Sequence, residues 1–105
     1  MKLTDLDASF VAPEGRHGVA VQFRCPGCQR ERIVIPFANP IDGGGADPSM
    51  NYRGVLWTRS GDSLETLTLS PSVDFSHVNG SDDAGDPWRE CRWHGWVRDG
   101  QAVSV

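Results

Sequence analysis

The sequence has few cysteines, no long apolar run and no segment with the hydrophobic spacing of a helix. Of its 105 residues, 38% are hydrophobic, and no stretch approaches the roughly 20 apolar residues of a membrane-spanning helix. Residues 1–7 lack the basic start and apolar stretch of a signal peptide. Three cysteines cannot all pair with one another, which argues against a secreted, disulfide-stabilised protein. These absences predict a cytoplasmic protein without a membrane partner.

The excess of charge of one sign is also small. The formal net charge is −4, so attraction of the whole surface to nucleic acid or anionic lipid is not expected. A chain of this length forms one domain with a small core, which favours stabilisation by a metal ion or a covalent link. We expect an irregular N-terminal arm at 1–15 and a single zinc-binding β domain at 16–105.

Alternating apolar residues predict an all-β fold, or nearly so, built as a small antiparallel sheet or sandwich of hairpins. The alternation predicts a strand over 18–24, and a run of β-branched residues predicts its partner over 31–37. The intervening turn at 25–28 forms the tip of this hairpin. Further strands are expected over 54–59, 63–69, 72–78, 93–98 and 101–105.

Glycine, proline and polar residues mark the connections between these strands. Segment 38–51 contains three consecutive glycines and two prolines, so we expect a flexible loop without a packed element. Residues 79–87 predict a second polar loop. Asp99-Gly100 is the dipeptide of a tight type I′ turn and predicts a hairpin between the last two strands.

Two pairs of metal-binding side chains lie near opposite ends of the chain. Cys25 and Cys28, and likewise Cys91 and His94, are separated by two residues, a spacing that lets both side chains of a tight turn bind one ion. Three thiolates and an imidazole suit tetrahedral Zn²⁺ rather than magnesium or calcium. We therefore expect a structural zinc that clasps two hairpins, with a turn between Cys91 and Trp96.

The same residues allow other interpretations. The cysteines can be ordinary buried thiols, or Cys25 and Cys28 can form a redox pair, although a strand rather than a helix is predicted after them. If His94 is not a ligand, the three cysteines leave a water position on a catalytic zinc beside Glu90. The chain lacks the His-x-Glu motif of zinc deaminases, which argues against that class of enzyme.

Three polar residues are candidates for hydrogen bonds to the metal ligands, namely Ser70, Ser72 and His77. A serine nucleophile would need a base. His77 is five residues beyond Ser72 on a predicted strand, and therefore on the opposite face. The sequence thus favours a supporting role for these residues, and we assign no catalytic residue.

Aromatic and arginine residues alternate near the C-terminal end and form a candidate partner surface. Such residues suit base stacking with phosphate contacts, or a protein interface. The tryptophans can instead pack around the metal and expose only their edges. The candidate surface consists of Trp88, Arg89, Arg92, Trp93, Trp96 and Arg98.

The order of two motifs resembles a family of small bacterial and phage proteins without an assigned activity. The motifs are Thr-Leu-Ser-Pro-Ser at 68–72 and Cys-x-x-His-x-Trp at 91–96, and members often carry an N-terminal cysteine turn. Gly95 and the long segment 38–51 depart from the family pattern. The resemblance implies metal binding and, for some members, genes beside those of ubiquitin-like conjugation.

We therefore expect a small zinc-binding accessory protein that engages another protein in a bacterial or phage pathway linked to ubiquitin-like conjugation. The residues do not favour an enzyme. Two alternatives stay open, a zinc-dependent hydrolase with an open metal position and a module that binds single-stranded nucleic acid. The first would exchange a metal ligand with water, and the second would lose affinity steeply with salt.

Overall fold

The chain folds into three small antiparallel sheets, which confirms the all-β prediction. The computed structural model describes residues 1–50, 54–79 and 89–105, with the backbone only at 76–79 and 89–91. Two short 3-10 helices span Leu3–Leu6 and Pro48–Met50. The strands are β1 (Ser9–Val11), β2 (Ala20–Arg24), β3 (Arg32–Pro36), β4 (Thr58–Ser60), β5 (Thr68–Ser70), β6 (Val73–Asn79), β7 (Arg89–Arg98) and β8 (Gln101–Ser104). Within the described ranges, no helix has the length and apolar character needed to cross a membrane.

The first sheet has the order β1-β2-β3 and contains the predicted N-terminal hairpin. Phe23 pairs with Ile33 and Val21 with Ile35, and all four side chains are buried. The cysteine turn connects the two strands as expected. Pro36 is the last paired residue of β3, consistent with its lack of a backbone N–H to donate.

The expectation of an irregular N-terminal arm is wrong. Leu3 and Leu6 are three residues apart on a 3-10 helix, so both side chains lie on the same side and are buried. β1 then pairs with β2. The main chain of Met1 and Leu3 also hydrogen-bonds to Ala102 and Gly100 of the C-terminal hairpin. The first residues are therefore part of the β fold.

β4 and β5 form the second sheet, and both strands are shorter than predicted. The segment before them, 38–51, holds the helix Pro48–Met50, and Ile41 packs against the core. The expectation of no packed element there is therefore wrong, because one apolar side chain among the glycines is enough to anchor the segment. Its flexibility stays a prediction.

The third sheet has the order β6-β7-β8. Asp99 and Gly100 have φ angles of 47° and 73°, which confirms the type I′ turn between β7 and β8. β7 runs without interruption because it pairs with β6 on one side and β8 on the other. The expected turn between Cys91 and Trp96 is therefore wrong.

The three sheets share one hydrophobic core. Phe23 of β2 contacts Trp93 of β7 in an edge-on arrangement, with ring centres 6.2 Å apart. Leu67, just before β5, is fully buried, and an isolated parallel bridge joins Phe37 to Trp57. These contacts hold one face of the third sheet against the rest of the molecule.

Candidate active site

The third sheet turns its other face toward solvent. Along β7, Trp93 and Val97 are buried whereas Arg92, His94 and Arg98 are exposed, as expected for alternating side chains of a strand. The solvent side is called the outer face below. Its described members include Ser72, Asp74, Arg92, His94, Trp96, Arg98 and Val103.

Ser72 lies one residue before β6, with its Oγ 3.3 Å from Nε2 of His94. The indole N–H of Trp57 donates a hydrogen bond of 3.3 Å to the carbonyl oxygen of Ser72. The next residue, Val73, is buried and pairs with Gly95. The backbone of Ser72 is thus held by Trp57, just before β4, and by the core, while its half-buried side chain lies on the outer face.

His94 lies in the central strand of the third sheet. Its carbonyl oxygen accepts a hydrogen bond of 2.9 Å from the backbone N–H of Val105. Its ring lies beside Trp96, with ring centres 6.3 Å apart and planes tilted by 31°. The central strand fixes the backbone, and Trp96 flanks the imidazole on the same face.

A carboxylate lies across the ladder from His94. Asp74 is the register partner of His94, and its oxygens accept hydrogen bonds of 2.9 and 2.7 Å from Nε and Nη2 of Arg92. These hydrogen bonds, assisted by the attraction of opposite charges, raise the pKa of Arg92 above its usual value. The imidazole therefore has a charged pair on the strand positions next to it.

A serine hydroxyl within hydrogen-bond reach of an imidazole is the nucleophile and base of many acyl-transfer enzymes. The separation of 3.3 Å between Ser72 Oγ and His94 Nε2 is slightly longer than the roughly 2.6–3.2 Å of a working contact, as is often found before substrate binding. With Nε2 unprotonated, His94 can accept the hydroxyl proton of Ser72. The arrangement can therefore activate Ser72 as a nucleophile.

The predicted metal ligands are only partly described. Cys25 is buried and Cys28 half-buried in the same turn, where Gln29 N–H donates to the Cys25 carbonyl oxygen. The backbone of Cys91 pairs with that of His77, but their side chains lie outside the described residues. The described part of the chain contains no cluster of three metal-binding side chains. Zinc at Cys25, Cys28, Cys91 and His94 stays a prediction.

The other predicted site residues are separated by the fold. Ser70 ends β5, pairs with Thr58 and is exposed, so it does not share the contact between Ser72 and His94. Trp93 belongs to the core, because strand alternation turns it inward, with 4% of its surface exposed. Trp88 lies outside the described residues, as does the side chain of Arg89. Arg92, Trp96 and Arg98 do lie together on the outer face.

Sequence reasoning missed the pairing of Ser72 with His94. The sequence places His77 nearest to Ser72 as a candidate base and predicts His94 as a metal ligand. The strand register, in which Phe75 pairs with Trp93, brings Ser72 and His94 together on the outer face. The alternation of apolar and polar residues in each strand indicates which side chains face the core and which face solvent. It does not determine how two strands that are distant in sequence align with each other.

Comparisons with known proteins place the chain in a bacterial family. The family described as bacterial ubiquitination-like system serine protease (BubE) matches residues 2–105. No curated protein and no solved structure matches the chain. The family match confirms the bacterial link to ubiquitin-like conjugation that the resemblance implied, whereas metal binding stays a prediction. Because the match spans nearly every residue, the chain belongs to the BubE family of serine proteases of a bacterial ubiquitination-like system.

Proposed function

We propose that the protein is a serine peptidase. It cleaves an amide bond in a precursor or a conjugate of the ubiquitin-like protein of its system. The contact between Ser72 Oγ and His94 Nε2 carries this proposal. The name of the family supplies the reaction class and the system. The substrate is then a protein, either a precursor or a conjugate of the ubiquitin-like protein. This substrate would be the protein partner that the sequence predicts.

The proposed reaction has two steps. Ser72 Oγ attacks the scissile carbonyl carbon while His94 Nε2 takes the hydroxyl proton, and the imidazolium then gives that proton to the leaving amine. Water then attacks the carbonyl carbon of the Ser72 ester while His94 Nε2 takes one of its protons. The bond from that carbon to Ser72 Oγ breaks, the imidazolium returns the proton to Oγ, and a carboxylic acid and free Ser72 are released. Each proton taken by His94 is returned within the same step.

Replacement of Ser72 tests the proposal directly. We expect Ser72→Ala and His94→Ala each to lower kcat by roughly a thousandfold or more on a conjugate of the system's ubiquitin-like protein. Ser70→Ala is the matched control, because Ser70 is two residues away and lacks the contact with His94. A fluorophosphonate probe should label wild type and Ser70→Ala but not Ser72→Ala. Equal cleavage by wild type and Ser72→Ala would refute the proposal.

The cysteine turn supports a second proposal, a structural zinc bound by Cys25, Cys28, Cys91 and His94 in an accessory protein. This site requires the straight strand β7 to bend between Cys91 and His94 when the ion binds, because residues three apart on a strand point to opposite faces. It competes with the first proposal for His94, because a nitrogen bound to zinc cannot accept a proton. We expect one zinc per chain by elemental analysis, lost in Cys25→Ser, with a large fall in stability on chelation. Protein purified without chelator that contains no zinc would exclude this site.

A further inference from the structure

We infer that the outer face beside Ser72 selects a substrate segment with an apolar residue next to the scissile bond and an acidic residue about two positions further. Trp96 and Val103 would contact the apolar residue, and Arg98 the acidic one. This inference rests on the proposed peptidase function, because it places the scissile bond at Ser72. It adds the substrate class that the site accepts.

The apolar part of this surface follows from the strand register. Val73 pairs with Gly95, so one step further along the same ladder position 72 lies across from position 96. On the other side of β7, Trp96 pairs with Val103, whose exposed fraction is 43%. A carbonyl carbon at Ser72 Oγ therefore brings the neighbouring substrate side chain to Trp96 and Val103.

The position of Val103 is unusual for an apolar residue of this chain. Its neighbour Ala102 is buried in the core, and Val103 points to the opposite side of β8. Trp96 is half-buried on that same side. Burial of such exposed apolar surface under a ligand is favourable by about 25 cal/mol per Å², so the pair offers binding energy that the fold itself does not use.

The charged part of the surface is Arg98. Its guanidinium carbon lies 4.8 Å from the ring centre of Trp96, which holds the side chain over the outer face. Among the described residues no carboxylate pairs with it, whereas Arg92 on the same face is bound by Asp74. Arg98 is two residues beyond Trp96, about 7 Å along the strand, and two residues of an extended substrate span the same distance.

The experiment measures binding to the Ser72→Ala variant of the full chain, so that no turnover occurs. The ligands are two fluorescein-labelled decapeptides with one central valine, followed two positions later by Asp in one peptide and by Lys in the other. We expect the Asp peptide to bind about fivefold more tightly at low salt, and Arg98→Glu to invert the preference. Val103→Ser should weaken both peptides. Arg30→Glu, an equal charge change at an exposed residue between the cysteine turn and β3, is the control.

Equal affinities for the two peptides, or an equal effect of Arg30→Glu and Arg98→Glu, would overturn the inference. So would failure of both peptides to bind at about 1 mM. The two proposals fail separately. Cleavage that depends on Ser72 but shows no acidic preference refutes only the selectivity. A binding preference without Ser72-dependent cleavage refutes the peptidase and reduces the outer face to a peptide-binding surface.

Discussion

At Gly95 the backbone of β7 lies directly against β8 and the ring of Trp93. A Cβ at this position would be 2.3 Å from the carbonyl oxygen of Val103 and 2.5 Å from Cζ2 of Trp93. Both neighbours are fixed, one by the strand ladder and the other by the core. The absence of a side chain at residue 95 is therefore a packing requirement of this sheet.

Gly95→Ala should therefore destabilise the protein. We expect the free energy of unfolding to fall by about 2 kcal/mol, because the backbone or the indole must move to admit a methyl group. Urea denaturation followed by circular dichroism measures the change. Gly45→Ala is the control, since a Cβ there meets no atom within 4 Å. A midpoint of Gly95→Ala equal to that of the control would contradict this account of the packing.

Individual site residues were only partly predictable from sequence. The sequence predicts His94 as a metal ligand and Ser70 and Ser72 only as supporting residues, so the contact between Ser72 and His94 is not among its predictions. The spacing between Cys91 and His94 is a local property of the sequence, and it predicts that both residues bind one metal ion. Contact with Ser72 depends on the pairing of β6 with β7, which no local spacing encodes.

At the scale of elements, segment 38–51 is fastened to the connection between β1 and β2 by a cluster around Asp42. The carboxylate accepts hydrogen bonds from Arg16 and from the backbone N–H groups of Gly44 and His17. These bonds, the one from Arg16 first, hold the pKa of Asp42 well below its usual range. The cluster replaces the apolar contacts that a glycine-rich segment lacks.

The low pKa of Asp42 predicts how stability depends on pH. A carboxyl whose pKa is lower in the folded than in the unfolded state stabilises the fold above its unfolded pKa of about 3.9, and that contribution is lost as the pH falls further. Asp42→Asn should therefore lower Tm at pH 7, and its difference from wild type should shrink between about pH 4 and pH 2. Asp62→Asn is the control for the charge change. A pH-independent difference in Tm would contradict the assignment.

Which elements were predictable depended on how local their contacts are. The hairpins β2–β3 and β7–β8 were found because alternation and turn residues occur within a few positions of one another. β1 was missed, since its pairing with β2 compensates for a sequence of mixed composition. The region of β4 was predicted too long. Its position is set by the parallel bridge between Phe37 and Trp57, a contact between distant parts of the chain.

At the scale of the whole molecule, the three sheets should unfold together. Gly100 N–H donates to the Leu67 carbonyl oxygen, and Phe23 contacts Trp93, so each sheet completes the core of another. The indole N–H groups report on two of them, that of Trp57 through Ser72 and that of Trp93 through Ser104. The native indole resonances of Trp57 and Trp93 in ¹H–¹⁵N spectra should therefore lose intensity with the same urea midpoint. Separate midpoints would show that the sheets are independent units.

The exposure of His94 has a consequence for the kind of substrate that reacts well. An imidazole on an open sheet face is surrounded by water, which weakens the electrostatic stabilisation that buried catalytic groups provide. A large folded substrate that covers the sheet would expel this water as it binds, so the substrate itself would shield Ser72 and His94 from solvent. Small esters offer no such cover, so slow hydrolysis of them and rapid processing of intact folded partners are expected from the same pair of side chains.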